Sequence, residues 1–398
     1  MKEGWEYKSL GEVCRIFNGN SINADYKKTH YMGLSEGYPF IATKDVSFDG
    51  IIDYENGVKI PFDEGLKVAK PNSVFICVEG GSAGRKIGLV NREVCFGNKL
   101  FCLDSQGSVL GPFIYYYLKS ELFQDQFAER LTGLIGGVSA KKFNDISIIY
   151  PSLSEQQFIV DYLDSAFAKI DTMKANTEKA LNEAKALFQA SLKEMLEPKE
   201  GWEENKLGSI TSKIGSGATP KGGRKVYIEE GCHLIRSMNV QYNEFKYDEL
   251  AHISDEAANQ LNGVEIQEDD VLFNITGASI ARCCVVPTDV LPARVNQHVS
   301  ILRLKQEVLP RFLSYIMNSP NHQKRLLEIG EAGSTRQALT KTDLENHVIS
   351  YPTIDSQNKI LCTLDSLKSK VDRLQANYDK ISLECDALKQ AILRQVFE

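Results

Sequence analysis

The sequence has 398 residues, with 46 Lys and Arg against 53 Asp and Glu, a net charge of −7 and 42% hydrophobic residues. At about 100–200 residues per domain this length predicts two or three domains, and a charged fraction of 25% without a long apolar run excludes a disordered, collagen-like or integral membrane protein. The start of the chain has no apolar signal-peptide core and the nine cysteines form no Cys-x-x-Cys pair, which indicates a cytoplasmic protein without a metal site.

The first 150 residues have the pattern of a mixed α/β globule. Short β-branched and aromatic runs such as 74–78 and 100–103 alternate with clusters of Gly, Asn and Pro, which predicts strands joined by loops. The segment after Pro112, from Phe113 to about Phe127, is predicted to be one amphipathic helix.

A long helix is predicted to follow this globule. Ser154 and Gln157 have the spacing of a capping box, and no proline interrupts the segment up to Leu196, which would be about 64 Å long at 1.5 Å per residue. Such a helix is too long to pack on one small domain. Apolar residues repeat along it at alternating intervals of four and three, which predicts a coiled-coil seam of Ile159, Leu163, Ala166, Ile170 and Met173.

The second half of the chain repeats this plan. Gly4-Trp5-Glu6 recurs as Gly201-Trp202-Glu203, and residues 74–85 recur as 271–282 at the same offset of 197. A second long helix, with Asp355 at its predicted N-cap, carries an uninterrupted seam of Ile360, Leu364, Leu367, Val371, Leu374, Tyr378, Ile381, Cys385 and Leu388. We therefore predict an α+β protein with two mixed α/β domains joined by two long antiparallel coiled-coil helices.

This duplication suggests what the protein binds. Two similar domains on an antiparallel helix pair would be related by an approximate two-fold axis, as are the two half-sites that a dimeric reader contacts on duplex DNA. The helices would then fix the separation of the half-sites. Because the loops of the two halves differ, the half-sites are expected to differ in sequence.

Several motifs, in order, resemble the specificity subunit of type I restriction-modification enzymes over nearly the whole chain. They are the Gly-Trp-Glu openings, the Ile-Gly-Ser-Gly-Ala-Thr-Pro-Lys turn at 214–221, the Gly-x-Ser-x-x-Arg loops at 80–85 and 277–282, and the Tyr-Pro pairs that precede each long helix. The resemblance implies target recognition domains at 1–152 and 199–353, and conserved helical regions at 153–198 and 354–398.

The resemblance also implies partners. A specificity subunit reads a split target in double-stranded DNA and carries two modification (methyltransferase) subunits together with restriction (translocase and nuclease) subunits. S-adenosylmethionine, ATP and magnesium would bind those partners. The chain itself would be non-catalytic, with no cofactor and no metal, and would serve DNA methylation and host defence from the cytoplasm.

The candidate DNA contacts are polar and basic residues on glycine-containing loops, where backbone can approach phosphate and side chains can reach bases. In the first half these are Asn18, Asn20, Lys27, Lys28, Ser82, Arg85, Lys86, Ser139, Lys141 and Lys142. In the second half they are Ser216, Thr219, Lys221, Arg224, Lys225, Ser279, Arg282, Arg336, Gln337 and Lys341. Arg85 and Arg282 occupy equivalent positions, which favours a shared phosphate contact over sequence readout.

Local charge and motif content limit the alternatives. Residues 1–150 carry 17 basic and 18 acidic residues and residues 201–352 carry 16 and 19, so we expect modest DNA affinity without partner subunits. Walker A, His-Glu-x-x-His, Gly-x-Ser-x-Gly and Asn-Pro-Pro-aromatic motifs are absent from the sequence. Two other hypotheses remain open: a stand-alone two-headed DNA-binding regulator, and a coiled-coil interaction protein with no DNA role.

Overall fold

The structure is a computed structural model that describes residues 4–132, 136–220, 223–332 and 337–398, apart from the side chains of Arg224 and Ala332. The chain divides into two compact units. The first unit consists of residues 1–178 and 377–398, and the second of residues 179–376. Each unit therefore combines one globule with segments of both long helices.

The first unit contains two four-stranded sheets and a two-stranded ribbon. Its strands are Glu6–Ser9 (β1), Cys14–Asn18 (β2), Tyr38–Ile41 (β3), Lys59–Ile60 (β4), Val68–Ala69 (β5), Val74–Cys77 (β6), Ile87–Leu89 (β7), Val94–Phe96 (β8), Leu100–Ser105 (β9) and Ser147–Tyr150 (β10). Its helices are Leu10–Val13 (α1), Ala24–His30 (α2), Gly111–Lys119 (α3), Glu121–Glu129 (α4), Ala140–Asn144 (α5) and the start of Leu153–Leu196 (α6). The sheet orders are β2-β9-β6-β7 and β4-β3-β8-β5, and β1 pairs with β10.

The second unit repeats this arrangement, with one strand fewer among the residues that the structure describes. Its strands are Glu203–Lys206 (β11), Thr211–Ser216 (β12), Cys232–Ile235 (β13), Ala251–Ile253 (β14), Val271–Asn274 (β15), Cys283–Val285 (β16), Ala293–Val295 (β17), Val299–Leu304 (β18) and Val348–Tyr351 (β19). Its helices are Leu207–Ile210 (α7), Asp255–Gln260 (α8), Pro310–Met317 (α9), Pro320–Ala332 (α10), Lys341–Asn346 (α11) and the start of Ile354–Phe397 (α12). The sheet orders are β12-β18-β15-β16 and β14-β13-β17, and β11 pairs with β19.

The predicted fold class is confirmed: two mixed α/β globules are combined with two helices of 44 residues each. The predicted single helix from Phe113 to Phe127 is instead two helices, α3 and α4. Ser120 separates them because its backbone is extended and its side chain accepts a hydrogen bond from the Phe123 amide at 3.4 Å.

Both long helices begin earlier than their predicted caps. The Ser152 hydroxyl accepts from the Glu155 amide at 3.4 Å, so Ser152, not Ser154, caps α6. Thr353 is the N-cap residue of α12, and its carbonyl accepts a hydrogen bond from the Gln357 amide at 2.9 Å. Asp355, the predicted N-cap, lies inside the first turn of the helix. The Tyr-Pro-(Ser/Thr) motif therefore ends in the capping residue itself.

One buried glutamine fixes the start of each long helix to its globule. Gln156 donates to the Pro151 carbonyl at 2.8 Å and the Ser108 carbonyl at 3.1 Å, and it accepts from the Leu110 amide at 2.8 Å. Gln357 makes the same three bonds, to Pro352, Glu307 and Leu309. Both side chains are 0% exposed, so no water replaces a lost bond.

We expect Gln156→Ala to lower the free energy of unfolding by about 3 kcal/mol, because it leaves a buried amide and two carbonyls without partners. Gln357→Ala should cost a similar amount. Gln157→Ala is the matched control, since Gln157 is exposed and bonds only to Asp161 on its own helix. Urea unfolding of the three variants checks this, and equal stability of Gln156→Ala and Gln157→Ala would contradict it.

Each globule core includes residues from both long helices. In the first unit, Leu163 of α6 and Leu393 and Phe397 of α12 pack with the side chains of α3 and α4. In the second unit, Leu196 of α6 and Leu364 of α12 join the core around α9. The end of each helix therefore packs against the globule that precedes the other helix.

The two helices run antiparallel within each unit. In the first unit Lys174 lies 3.4 Å from Asp386, whereas Asp171, earlier on α6, contacts the later residue Lys389 at 2.5 Å. In the second unit Lys185 donates to Gln375 at 2.7 Å. Most of the predicted seam residues are shielded from solvent. The buried ones are Ile159, Leu163, Ile170, Leu364 and Cys385, and the half-buried ones are Ala166, Ile360, Leu367, Val371, Leu374, Tyr378 and Ile381.

The prediction that Met173 and Leu388 lie in the seam is wrong. Met173 and Leu388 are 48% and 46% exposed, and the next residues on each helix, Lys174 and Lys389, turn inward instead. Each seam therefore contains two successive intervals of four residues, centred on Ile170 in α6 and on Cys385 in α12. The Cys385 thiol lies 4.0 Å from the Ile170 carbonyl oxygen, so the two irregularities lie side by side. Because they coincide, both helices change the phase of their heptads at the same level.

Candidate nucleic-acid interface

The two central strands of the first sheet lead into equivalent loops in both units. The Val78 amide donates to the Lys99 carbonyl at 3.1 Å, and the Ile275 amide donates to the His298 carbonyl at 3.0 Å. The glycine that opens each loop has a positive φ, 81° at Gly80 and 75° at Gly277. These glycines donate to the carbonyls of Gly136 at 2.9 Å and Gln337 at 3.2 Å. The backbone frame is therefore the same in the two halves.

In the first unit this frame carries a polar group that we call the first loop cluster: Asn18, Glu79, Asn98, Lys99 and Ser139. Asn18, Glu79, Asn98 and Ser139 line one cavity of about 640 Å³. Lys99 lies 3.9 Å from Glu79, and their side chains are 58% and 49% exposed. The structure thus brings the predicted residues Asn18 and Ser139 to one place, together with an ion pair that the sequence analysis missed.

In the second unit the same frame carries the second loop cluster: Thr219, Thr276, Gln297, His298 and Gln337. Thr276 Oγ1 and His298 Nδ1 are 2.6 Å apart, and Gln297 and His298 are in contact through their Nε2 atoms at 3.2 Å. The Thr219 hydroxyl donates to Gln297 Oε1. Gln337 donates to Glu331 at 3.0 Å. Thr219 and Gln337 were predicted, whereas the three residues between them were not.

The two equivalent arginines stack on exposed aromatic rings. The Arg85 guanidinium lies 5.1 Å from the centre of the Phe48 ring, and that of Arg282 lies 5.2 Å from the Tyr242 ring. Phe48 and Tyr242 are 56% and 54% exposed. Arg85 is exposed, but Arg282 is half-buried and donates to Gln241 at 2.7 Å.

Each aromatic residue lies in a short hairpin that is bonded to the helix beneath it. Lys119 donates to the Asp49 carbonyl at 3.0 Å, and burial lowers the pKa of its ammonium group to about 8. In the second unit Ser314 and Asn318 donate to Asn243 Oδ1 at 2.8 and 2.9 Å. The arginine and aromatic pair is thus held in place in both halves, which the sequence alone did not indicate.

The remaining predicted contacts are distributed around these clusters. Asn20 is half-buried and bonds to both backbone groups of Lys67 at 3.0 Å, so its amide is used within the protein. Lys27 lies over the Phe40 ring at 4.8 Å, Lys86 donates to the Thr43 carbonyl at 2.9 Å, and Lys341 lies 3.5 Å from Glu345. The exposed ones are Lys28, Lys141, Lys142, Ser216 and Lys225, and the half-buried ones are Ser82 and Ser279. Lys221 and Arg336 lie outside the described residues, as does the side chain of Arg224.

A histidine pair, in which His347 is buried and His322 is half-buried, distinguishes the second unit from the first. His322 and His347 are 2.8 Å apart through Nδ1 and Nε2. Burial lowers the pKa of each to about 4, with Arg325 contributing to both and His347 contributing to the shift of His322. The first unit has Ile146 in place of His347, since Leu10 bonds to the Ile146 carbonyl as Leu207 bonds to that of His347. It has Phe123 in place of His322, since the next residues, Gln124 and Gln323, make equivalent bonds to backbone carbonyls.

We expect this pair to make stability depend on pH. Both pKa values lie below the unfolded value of about 6.5, so the unfolded chain binds more protons and stability falls as the pH drops from about 6.5 toward 4. The loss should be on the order of 2 kcal/mol for each histidine by pH 5. The double variant H322F/H347I, which copies the first unit, should lose this dependence in thermal unfolding between pH 5 and 7. An unchanged slope in that variant would contradict the assignment.

Neither a metal centre nor a membrane segment is found in the described part of the chain. No group of three or more His, Cys, Asp or Glu among residues 4–132, 136–220, 223–332 and 337–398 could hold a metal ion. The helices of the same residues include none with the length and apolar character of a membrane span. All nine cysteines are free and eight are buried; burial raises the pKa of Cys102, for example, to about 12, so it is not a nucleophile.

Two repeated α/β units with equivalent loops that carry different polar side chains are the architecture of a duplicated recognition protein. The chain belongs to the family of type I restriction-modification specificity proteins, because the family model "Type I restriction modification DNA specificity domain" matches residues 2–183 and again residues 199–383. The resemblance stated from the sequence is thereby confirmed.

Curated relatives agree with this family over the full length. The chain is 24% identical to the type I restriction enzyme EcoBI specificity subunit of Escherichia coli and 22% identical to the EcoKI specificity subunit of Escherichia coli strain K12. Both alignments cover 100% of this chain, and 86% and 89% of the relatives.

Solved structures share the fold. The HsdS subunit from Thermoanaerobacter tengcongensis matches with a TM-score of 0.61 at 19% identity, covering 100% of this chain and 97% of that one. A chain from a study of complex assembly and conformational transition of the type I R-M system matches with a TM-score of 0.76 at 18% identity, covering 100% and 98%.

Proposed function

We propose that this protein is the DNA specificity subunit of a type I restriction-modification enzyme and reads an asymmetric two-part target, one half-site per globule. The observation that carries the proposal is the repeated loop frame: the backbone bonds at Gly80 and Gly277 are the same, while the side chains around them differ. Such a protein contacts two half-sites in the same manner and reads different bases in each. The target recognition domains are proposed at 1–152 and 199–353.

The partners proposed are two modification subunits and the restriction subunits, which would supply S-adenosylmethionine, ATP and magnesium chemistry in the cytoplasm. The docking surfaces would be the faces of 155–196 and 356–398 that lie outside the seam. Phe158 and Tyr162 support this, because they are one turn apart on α6 and are 72% and 46% exposed. Methylation requires the target base to leave the stack, so the specificity subunit must hold the duplex and leave that base accessible.

The loop clusters would supply the base contacts and the basic residues around them the phosphate contacts. Arg85 in the first unit and Arg282 in the second are proposed for the phosphates, since they occupy the same position in both halves. Lys86, next to Arg85, is proposed with them, although the second half has Cys283 at its position. Ser82 and Ser279 lie on the same loops, Ser139, Lys141 and Lys142 lie at the start of or within α5, and Ser216 ends β12. Lys225 lies in the segment between β12 and β13.

A mobility-shift titration with and without the modification subunits tests this proposal. We expect weak binding by the chain alone, because neither globule carries net positive charge, and at least about tenfold tighter, salt-sensitive binding once the modification subunits are added. Tight and specific binding by the chain alone would favour the stand-alone regulator. No salt-sensitive binding in either assembly would overturn a DNA role.

Arg85→Ala should weaken binding to all sequences alike, and should reduce the dependence of log K on log salt by about one. The matched control is Arg92→Ala, which removes an arginine that also stacks on an aromatic ring, Tyr54 at 4.6 Å, and is exposed. A change in the selected DNA sequence by Arg85→Ala would show that Arg85 reads bases instead.

A further inference from the structure

The two loop clusters place different chemistry on the same backbone positions. Glu79 corresponds to Thr276, because each follows the residue whose amide bonds to the start of the neighbouring strand. Lys99 corresponds to His298, since each provides the carbonyl that accepts this bond, and Asn98 therefore corresponds to Gln297. The backbone bridges from Glu79 to Gly137 and from Thr276 to Ala338 show the same register.

The side chains at these positions are paired in both halves, but with different groups. Glu79 and Lys99 form an ion pair at 3.9 Å. Thr276 and His298 form a hydroxyl–imidazole contact at 2.6 Å. Glu79 and Lys99 are about half exposed, Asn98 and Gln297 are exposed, and Thr276 and His298 are half-buried.

We infer that these three positions determine sequence specificity: Glu79, Asn98 and Lys99 for the half-site of the first globule, and Thr276, Gln297 and His298 for that of the second. This inference rests on the proposed function and adds the residues that discriminate bases. Positions with the same residue in both halves, such as Arg85 and Arg282, cannot distinguish two unlike half-sites. Positions with the same backbone and different side chains can.

The chemistry of each set suits base edges. A lysine donates to guanine O6 and N7, and a carboxylate beside it accepts from cytosine N4, so Glu79 and Lys99 can read a G·C pair, whereas the Asn98 amide suits an adenine next to it. The exposed Gln297 amide can pair with adenine N6 and N7 if it exchanges its contacts with Thr219 and His298 for the base, and the Thr276 hydroxyl can accept or donate, so the second set favours an A·T pair. In both halves the donor and the acceptor are already side by side before DNA binds.

Exchanging the sets between the halves tests the inference. The triple variant E79T/N98Q/K99H gives the first half the residues of the second, and T276E/Q297N/H298K gives the second half those of the first. Each variant is assembled with the modification subunits, and its target is determined by selecting bound or methylated sequences from random DNA. The control is E55T/R92H, which changes another exposed ion pair of the first unit, 3.6 Å apart, outside the cluster.

We expect each triple variant to change one or two adjacent base pairs of its own half-site, with about tenfold to hundredfold altered discrimination there, and to leave the other half-site and the spacer unchanged. Thermal unfolding shows whether each triple variant is folded, and if one is not, the target selected by the other tests the inference. Parent half-sites in every folded triple variant would overturn the inference. A wild-type assembly that selects no two-part target would instead overturn the proposed function, so the two failures are distinguishable.

Discussion

Removing one heptad from each long helix is expected to shorten the DNA spacer and leave both half-sites unchanged. We choose residues 184–190 and 370–376, because the contacts of Lys185 with Gln375 and of Lys174 with Asp386 set this register. The deletions preserve the spacing of the seam. Ser191 takes the place of Ala184, three residues after Leu181, and Tyr378 takes the place of Val371, four residues after Leu367. Seven helical residues span about 10 Å, or about three base pairs at 3.4 Å each.

Three base pairs also turn the duplex by about a third of a turn, so the shortened protein should be less active on its new target than the parent is on its own. Selection from random DNA with the assembled complex measures both effects. The control is removal of seven residues from α6 alone, which mismatches the two helices and should abolish binding. Retention of the parent spacer by the double deletion would contradict the idea that the helices act as the ruler.

Phe397→Ala should destabilise the first globule by about 3–5 kcal/mol although it lies at the other end of the sequence. Phe397 is 1% exposed, and its ring lies 5.4 Å from that of Phe113 and 5.5 Å from that of Tyr117. The substitution would leave a cavity in this aromatic cluster. Hydrogen exchange should accelerate in α3 and α4 while the second unit keeps its protection.

The control for this variant is Leu383→Ala, which removes a 73% exposed side chain from the same helix and should change stability by less than about 0.5 kcal/mol. Equal loss of protection in both units of Phe397→Ala would contradict the assignment of the C-terminal turn to the first globule.

Much of the fold could be predicted because the sequence contains an internal duplication. The repeat is visible in Gly4-Trp5-Glu6 and Gly201-Trp202-Glu203, and the heptads predict the long helices. The register of the seam around Met173 and Leu388 could not be predicted, since Lys174 and Lys389 turn inward to acidic partners on the opposite helix, and Lys389 also lies over the Phe167 ring at 5.3 Å. Likewise, the sequence shows that Phe397 is apolar but not which globule it enters.

The candidate site was predicted in part. The Gly-x-Ser-x-x-Arg loops were recognisable because glycine and polar residues recur at a fixed offset. Glu79 and Lys99 were not, because they are 20 positions apart and meet only through the antiparallel pairing of β6 with β9. Comparing the two halves position by position along these strands would have found them, since Glu79 and Thr276 follow the same apolar run.

The central claim, one two-part target read by two unlike globules, is tested most directly by mapping methylated bases after the chain is expressed with its modification subunits in a host without DNA methylation. We expect a single motif made of two different short sequences separated by a fixed number of unspecified base pairs, with one methylated adenine in each part. A contiguous motif, a symmetric motif with identical parts, or no sequence-specific methylation would contradict it.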